Sequence, residues 1–335
     1  MNIAIDGMGG DYAPAEIVKG AIDAAKIYSS DHFVLVGDRE KILAVSKHLP
    51  SNISIEHTDE FITMEEKPSE AFKKKKRSSM KIAAELVRDG KCHAILSAGN
   101  TGALLETSIL TIGRIKGIKR PALATFFPTK KGHSILIDSG ANAECKSEYL
   151  IQFAQMGSIY MEAVEGIDNP TVGLINIGSE KGKGNSFYQK TYELMENEKS
   201  LYFSGNIEPR DFLSGKVHVG VADGFTGNMI LKSMEAGADF VNSVLREEIK
   251  KSIVAKVTTL TLKPIFRNVK KRLDHSEHGG ALLAGLKGIC IKSHGRADAR
   301  AITNAARLAK TIHSHNMIES FKKIGEAAEA EEVTV

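Results

Sequence analysis

Short apolar runs alternate with helix-like segments along the first two hundred residues of this chain. Runs that end at Gly or Asp are typical of buried strands, and apolar residues spaced three and four apart indicate helices packed on one face. Strands are predicted at 3–5, 33–36, 94–96, 134–137, 172–175, 202–204 and 217–221, and clear helices at 14–25 and 79–87. This order predicts a three-layer αβα body over 1–335 with a largely parallel sheet.

The pattern changes after Asp223, where a long helical stretch runs from 227 towards 256. Residues 250–272 contain many lysines and arginines and no acidic residue, and apolar residues are interleaved with them. We interpret 238–273 as an amphipathic helical insertion in the C-terminal half that contacts either a membrane surface or a dimer partner. Its predicted membrane contacts are Val254, Val257, Leu260 and Leu262. The Ala/Glu-rich residues 325–335 are expected to fray.

Cysteine spacing, the start of the chain and the net charge indicate where the protein is located and which kinds of partner it binds. Cys92, Cys145 and Cys290 are isolated, so their spacing supports neither a disulfide framework nor a zinc site. The start of the chain does not resemble a signal peptide, which predicts a cytoplasmic protein. The net charge is +4, so an acidic partner would meet local basic runs such as 73–77. Few aromatic residues accompany these runs, which disfavours nucleic-acid binding.

Six loops rich in glycine and polar residues follow predicted strands, at 6–11, 97–102, 138–142, 178–185, 223–228 and 293–295. Ligands of open parallel sheets bind at these strand ends, where glycine lets backbone N–H groups approach an oxyanion. Any one loop also fits an ordinary turn or helix cap, but six together favour a phosphate site. Its candidate residues are Asp6, Gly9, Gly10, Ser97, Gly99, Thr101, Asn142, Thr226, Gly227, Asn228 and His294.

Other phosphate and cofactor motifs are missing. The first loop lacks the G-x-G-x-x-G spacing of dinucleotide binding, and no G-x-x-x-x-G-K-[ST] loop is present. The chain also lacks a G-x-S-x-G nucleophile elbow, and His275 and His278 have no evident third ligand nearby. The sequence therefore predicts no cofactor, no metal and no covalent enzyme nucleophile.

An ordered set of motifs across nearly the whole chain resembles the phosphate acyltransferase family of bacterial phospholipid synthesis, the PlsX family. These motifs lie at 6–11, 74–80, 97–103, 113–117, 120–123, 140–142, 205–206, 223–228 and 294–295. The chain departs from the family pattern at Gly7, Tyr12, Ser139 and Arg296. None of these departures removes a charged or amide group from a loop.

The resemblance implies a reaction in which inorganic phosphate and an acyl-acyl carrier protein give acyl phosphate and the free carrier thiol. It also implies a fold like that of isocitrate and isopropylmalate dehydrogenases and of phosphotransacetylases. Members of the family are typically homodimers that associate peripherally with the membrane, so the chain is expected in the cytoplasm and at the membrane surface. The expected user of the product is a membrane glycerol-3-phosphate acyltransferase.

Direct attack by phosphate on the thioester carbonyl is the hypothesis for the mechanism. In it Lys183 pairs with phosphate, and Asn100 and Asn185 donate hydrogen bonds to phosphate or to the tetrahedral oxyanion. Asp223 orients a proton donor or takes a phosphate proton. Asp223 fits a helix cap equally well. Two alternatives for the whole chain are a phosphotransacetylase-like enzyme that uses acyl-coenzyme A and a non-catalytic scaffold that binds phosphate groups and carrier protein.

Overall fold

The computed structural model describes residues 1–251, 264 and 279–333, with the side chains of 331–333 left out. The predicted membrane contacts Val254, Val257, Leu260 and Leu262 lie outside the described residues, as does most of 238–273. In the described part of the chain, no helix combines the length and apolar character that crossing a membrane requires.

The strands are β1 (Asn2–Asp6), β2 (His32–Gly37), β3 (Ile53–His57), β4 (Ala94–Ser97), β5 (Ala122–Thr129), β6 (Gly132–Ile137), β7 (Thr171–Ile175), β8 (Tyr202–Ile207), β9 (Val219–Val221), β10 (Ala281–Ala284) and β11 (Ile289–Lys292). The helices are α1 (Ala15–Ile27), α2 (Arg39–Val45), α3 (Pro68–Lys74), α4 (Ser79–Arg88), α5 (Thr101–Thr111), α6 (Ser147–Glu165), α7 (Ser186–Asn197), α8 (Pro209–Leu213), α9 (Gly224–Lys251), α10 (Ala299–Ser314) and α11 (Met317–Val333). All of the predicted strands and both clear helices are confirmed, and α11 continues through most of the segment expected to fray.

The strands form one sheet in the order β3-β2-β1-β4-β11-β10-β5-β6-β9-β7-β8. Pairings in the flanks are parallel, whereas β11–β10, β10–β5 and β5–β6 are antiparallel. The sheet is therefore mostly parallel, as predicted, but its two flanks run in opposite directions. Sequence reasoning missed this reversal because β5, β10 and the turn between β5 and β6 were not predicted.

Helices cover both faces of the sheet, which confirms the three-layer αβα prediction. Helices α1, α6, α10 and α11 pack on one face, while α4, α5, α8 and α9 contribute to smaller clusters on the other. Gly20 shows how closely the first layer is packed, since a Cβ there would lie 2.5 Å from the carbonyl oxygen of Ala299 at the start of α10. The side chains that face the sheet are mostly aliphatic.

Strand register brings the carboxyl ends of the two flanks together at the centre of the sheet. Lys292, the last residue of β11, pairs with Ala281 of β10, and Ala281 pairs with Thr125 of β5. The preceding β5 residue, Ala124, pairs with Ile137, the last residue of β6. The loops that follow β11 and β6 therefore begin at adjacent levels across the sheet, even though the two strands run in opposite directions.

Candidate active site

A cavity of about 510 Å³ lies where these strand ends meet, between α5 and α9. One part of its wall is polar and includes Thr101, Asn228, Lys292, Ser293 and His294. Another part is apolar and includes Met64, Leu105, Leu123, Phe126 and Leu231. Three predicted site residues thus line one cavity: Thr101 from the start of α5, Asn228 from α9 and His294 from the loop after β11.

Asp6, at the end of β1, lies buried behind the polar wall. The hydroxyls of Ser79 and Ser97 donate to its two carboxylate oxygens over 2.6 and 2.7 Å, and the Met8 amide donates over 3.4 Å. Burial raises the pKa of Asp6, while these hydrogen bonds oppose the rise. Asp6 therefore organises the loops around it and is not open to the cavity.

The glycines of the first two loops allow the backbones to come together. A Cβ on Gly9 would lie 2.4 Å from an Asp6 carboxylate oxygen and 2.9 Å from the Cα of Gly99. Gly10 has a φ of 113°, which favours glycine. These positions are explained by close packing, and direct contact of their amides with a ligand stays a prediction.

Asn100 caps α5 and anchors the loop that precedes α3. Its side-chain oxygen accepts from the Ala103 amide over 3.0 Å, and its side-chain nitrogen donates to the carbonyls of Met64 and Glu66 over 2.8 and 3.2 Å. The side chain thus holds one edge of the cavity. Its predicted donation to phosphate or an oxyanion has no direct support from these contacts and stays a prediction.

The loop after β6 joins the cavity to the opposite flank of the sheet. Asp138 accepts hydrogen bonds from the amides of Gly140, Ala141 and Asn142, and the Asn142 side chain donates to Asp138 over 2.8 Å. The Asn142 side chain also donates to the Pro121 carbonyl over 2.7 Å. Asn142 therefore stabilises this loop, while Gly140 and the nearby Asn228 side chain line the cavity.

A second polar cluster lies at the ends of β7 and β9. Asp223 accepts from the Tyr188 hydroxyl over 2.5 Å and from the hydroxyl and amide of Thr226 over 2.8 and 2.9 Å. Burial and the Asp223 carboxylate raise the pKa of Tyr188 far above its usual value. Asp223 thus holds the first turn of α9 against α7, and neither Asp223 nor Thr226 lines the cavity.

Lys183 and Asn185 belong to the exposed loop between β7 and α7. The Lys183 side chain is 47% exposed, and its ammonium lies 3.7 Å from Glu180. Asn185 caps α7 by accepting from the Tyr188 amide over 3.1 Å. Neither residue lines the cavity, so the structure does not bring them to Thr101 and Asn228.

Sequence reasoning missed Lys292. It ends an otherwise apolar strand and is 8% exposed, yet its side chain borders the cavity. Burial lowers the pKa of Lys292 to about 8. The signal in the sequence is a lone lysine that closes the run Ile289–Lys292 just before a Ser-His-Gly loop.

The cysteines are poor nucleophiles in this fold. Burial raises the pKa of Cys92 to about 11 and those of Cys145 and Cys290 to about 12. Across residues 1–251, 264 and 279–333, no group of three or more His, Cys, Asp or Glu side chains is placed to hold a metal ion. His275 and His278 lie outside those residues.

Comparison with known sequences gives matches along nearly the whole chain. The profile of the fatty acid synthesis protein family matches residues 1–320. The phosphate acyltransferase of Clostridium botulinum strain Loch Maree is 45% identical over 325 residues, which cover 96% of this chain and 97% of that protein. The phosphate acyltransferase of Clostridium beijerinckii is 42% identical over 326 residues, which cover 96% and 98% of the two chains.

Comparison with solved structures gives the same fold at low identity. A phosphotransacetylase from Streptococcus pyogenes matches with a TM-score of 0.59 at 15% identity, covering 93% of this chain and 94% of that one. The 4-hydroxythreonine-4-phosphate dehydrogenase of Klebsiella pneumoniae matches with a TM-score of 0.53 at 14% identity, covering 93% and 99%. These likenesses concern the fold alone and confirm the predicted fold class.

Proposed function

Since the chain belongs to the fatty acid synthesis protein family and is an enzyme of the acyltransferase class, we propose that it transfers a long-chain fatty acyl group from acyl-acyl carrier protein to inorganic phosphate. The acyl phosphate then serves phosphatidic acid synthesis by a membrane glycerol-3-phosphate acyltransferase. The phosphate acyltransferase relatives support phosphate as the acceptor, and the proposal of a carrier-protein donor rests on the sequence motifs.

The observation that carries the proposal is the pairing of polar and apolar walls in one cavity. Thr101, Asn228 and Lys292 offer hydrogen-bond donors on one side, while Leu105, Leu123 and other apolar side chains line another. A phosphate ion matches the first wall, and the methylene groups of an acyl chain match the second. A scaffold that binds only phosphate groups would not need the apolar wall.

The proposed reaction is a direct displacement. An oxygen of hydrogen phosphate forms a bond to the thioester carbonyl carbon, the carbon–sulfur bond breaks, and the phosphate proton goes to the departing thiolate. The products are an acyl phosphate dianion and the free carrier thiol. Holding both reactants in a near-attack geometry can lower such a barrier by about 7–11 kcal/mol in ideal cases. The high pKa values of the three cysteine thiols favour this route over an acyl-enzyme.

Thr101 and Asn228 are the proposed donors to phosphate or to the carbonyl oxygen. Neither side chain is engaged in a hydrogen bond with another described residue, and both line the cavity. Backbone amides near Gly9, Gly10 and Gly227 complete the proposed cradle.

Lys183, Asn185 and Asp223 form the outer part of the proposal. Lys183 is proposed to pair with the incoming phosphate, because its ammonium is exposed and only loosely paired with Glu180. The Asn185 side chain is proposed to donate a hydrogen bond to the same phosphate or to the tetrahedral oxyanion. Asp223 is proposed to orient the Tyr188 and Thr226 hydroxyls, since it already accepts from both.

The acidic carrier protein is proposed to dock on α3, next to the cavity mouth. Lys73 and Lys74 are exposed at the end of α3, and Lys76 and Arg77 are exposed just after it. The same segment reaches the cavity through Met64, which lines it, and through Pro68, whose side chain lies 2.6 Å from where a Gly102 Cβ would be. A second basic run, 114–119, contains Arg114, Lys116 and Lys119 and is partly engaged, because Lys116 pairs with Glu329 of α11 over 2.8 Å.

Charge reversal tests this docking surface. Replacing Lys73 and Lys76 by Glu should raise KM for palmitoyl-carrier protein about tenfold and leave KM for palmitoyl-coenzyme A unchanged. Lys199→Glu, an exposed position beside the edge strand β8, is the matched control. Equal changes with both acyl donors would refute docking on α3.

A second copy of the chain is proposed to cover α9. Phe240, Val241, Val244 and Leu245 form one apolar stripe on this helix and are each at least 41% exposed. Replacing Val244 and Leu245 by Lys should convert a dimer into monomers in sedimentation experiments. Unchanged sedimentation would count against this interface.

Reversible membrane docking is proposed for the segment that follows α9. Its support is the sequence pattern of basic residues and the apolar Val254, Val257, Leu260 and Leu262. Changing Val257 and Leu260 to Glu should reduce partition onto anionic liposomes. The same partition as the unmodified chain would contradict this docking.

One assay tests the function itself. Release of free thiol should require inorganic phosphate and should be faster from palmitoyl-carrier protein than from palmitoyl- or acetyl-coenzyme A. A preference for acetyl-coenzyme A would instead favour a phosphotransacetylase, for which the shared fold gives precedent. No phosphate-dependent release from any of the three donors would leave the scaffold as the better explanation.

A further inference from the structure

Lys292 is a buried lysine that lines the cavity and has no carboxylate partner among the described residues. It lies at the end of β11 and is 8% exposed. Its ammonium donates to the neighbouring Ser293 carbonyl, and no carboxylate of the described residues lies within ion-pair distance of it. A buried charge with only one neutral partner is costly unless an anion completes its surroundings.

The groups around Lys292 leave it available to a ligand. Asp6 is the buried acid with the largest charge effect on Lys292, but its two oxygens accept from the hydroxyls of Ser79 and Ser97. Lys232, across the cavity on α9, is paired with Glu235 over 2.7 Å. Among the described residues, the titratable groups around Lys292 are Asp6 at the end of β1, Asp11 in the loop that follows, Cys290 on β11, Lys232 and Glu235 on α9, and His294 in the next loop.

We propose that Lys292 is the inner cation that binds the phosphate substrate, together with the Thr101 hydroxyl and the Asn228 amide. All three line the same cavity, and they reach it from β11, α5 and α9 respectively. This inference rests on the proposed function for its substrate. It makes the buried Lys292 the cation that contacts bound phosphate, whereas Lys183 lies on an exposed loop.

Binding of phosphate to this lysine has a predictable pH dependence. Burial lowers the pKa of Lys292 to about 8, with the carboxylates of Asp6 and Asp11 opposing the shift and Lys232 adding to it. Phosphate binds the ammonium form, so the contribution of Lys292 to its affinity should be full below pH about 8 and should fall about tenfold per pH unit above it. Inorganic phosphate is already a dianion at pH about 8 and does not itself lose a proton as the pH rises further.

Titration of inorganic phosphate into the full chain, without acyl donor, tests the inference apart from the overall function. Lys292→Met should weaken phosphate binding about 10- to 100-fold and abolish its fall above pH about 8. Lys292→Arg should restore part of the affinity and keep it constant with pH. Lys287→Met, an exposed lysine in the same β10–β11 hairpin, should bind phosphate like the unmodified chain.

Three results would overturn the assignment. One is normal phosphate affinity in folded Lys292→Met, and another is an equal loss in Lys292→Met and Lys287→Met. The third needs no variant: phosphate affinity of the unmodified chain that stays constant from pH about 8 to about 10. If phosphate binds as predicted but no acyl donor reacts, the proposed function fails while the site for phosphate stands.

Discussion

The two flanks of the sheet end in similar polar clusters that differ in their lysine. Asp6 ends β1 and Asp223 follows β9, and each carboxylate accepts from two side-chain hydroxyls. Beside Asp6, Lys292 is buried at the cavity wall, whereas the loop next to Asp223 carries Lys183 in an exposed position. We refer to these as the inner cluster (Asp6, Ser79, Ser97, Lys292) and the outer cluster (Asp223, Tyr188, Thr226, Lys183).

The difference shows that two loops with the same kinds of residues can provide different electrostatics. A charge in the inner cluster is little screened by solvent and has a shifted pKa, so it can select a bound dianion. A charge in the outer cluster is screened by salt but can attract phosphate from solution. The start of α9 links the two clusters: it carries Thr226 of the outer cluster, then Gly227 packed on the loop after β6, then Asn228, which lines the cavity together with Lys292.

The largest expected effect comes from breaking that junction. A Cβ on Gly227 would lie 2.0 Å from the backbone carbonyl oxygen of Asp138, so Gly227→Ala must push α9 away from the loop. We expect the free energy of unfolding to fall by about 3 kcal/mol and activity to be largely lost. Chemical denaturation measures the free energy of unfolding, and phosphate-dependent thiol release measures the activity.

Gly182→Ala is the control for that change, because an added Cβ in this part of the outer loop meets no atom within 4 Å. It should alter the free energy of unfolding by less than about 0.5 kcal/mol. Equal stability of the two variants would show that the clusters are not joined as described.

Removing one hydroxyl that donates to each aspartate should destabilise the inner cluster more than the outer one. Ser79→Ala leaves the buried Asp6 with one fewer donor and should lower the free energy of unfolding by about 1.5–3 kcal/mol. Tyr188→Phe should cost only about 0.5–1.5 kcal/mol, because Thr226 still donates twice to Asp223. Denaturant titration of both variants decides this, and a larger loss for Tyr188→Phe would reverse the comparison.

The smallest effect concerns Lys183 and depends on salt. Lys183→Met should raise KM for phosphate about tenfold at low ionic strength. That increase should shrink at about 1 M sodium chloride, where the Debye length is about 3 Å, while the effect of Lys292→Met should persist. An unchanged phosphate KM in Lys183→Met would remove this lysine from the proposed role.

Much of the fold was predictable because the local signals agree with one another. The apolar runs that became β1, β4 and β6 each end at glycine-rich loops, and the apolar spacing of α1 matches its buried face. The antiparallel centre was not predictable in the same way. Strand β5 contains Pro128 and ends in a turn with Lys130 and Lys131, so it does not resemble a buried central strand.

The candidate site was predictable in part for a similar reason. Loops at 97–102, 223–228 and 293–295 do meet, because strand ends in such sheets converge. Residue type alone could not predict which lysine is buried at the cavity wall. Lys183 lies between Gly182 and Gly184 in a glycine-rich loop, whereas Lys292 is the last residue of an apolar strand and reaches the cavity through the register of β10 and β11.

The central claim is that phosphate attacks the thioester directly in the cavity between the clusters. Its most direct test is isotope exchange between palmitoyl-carrier protein and labelled free carrier protein, with the full chain present and phosphate absent. Direct attack predicts no label in the palmitoyl-carrier until inorganic phosphate is added, after which label enters through reversible formation of acyl phosphate. Exchange without phosphate would reveal an acyl-enzyme and contradict the account.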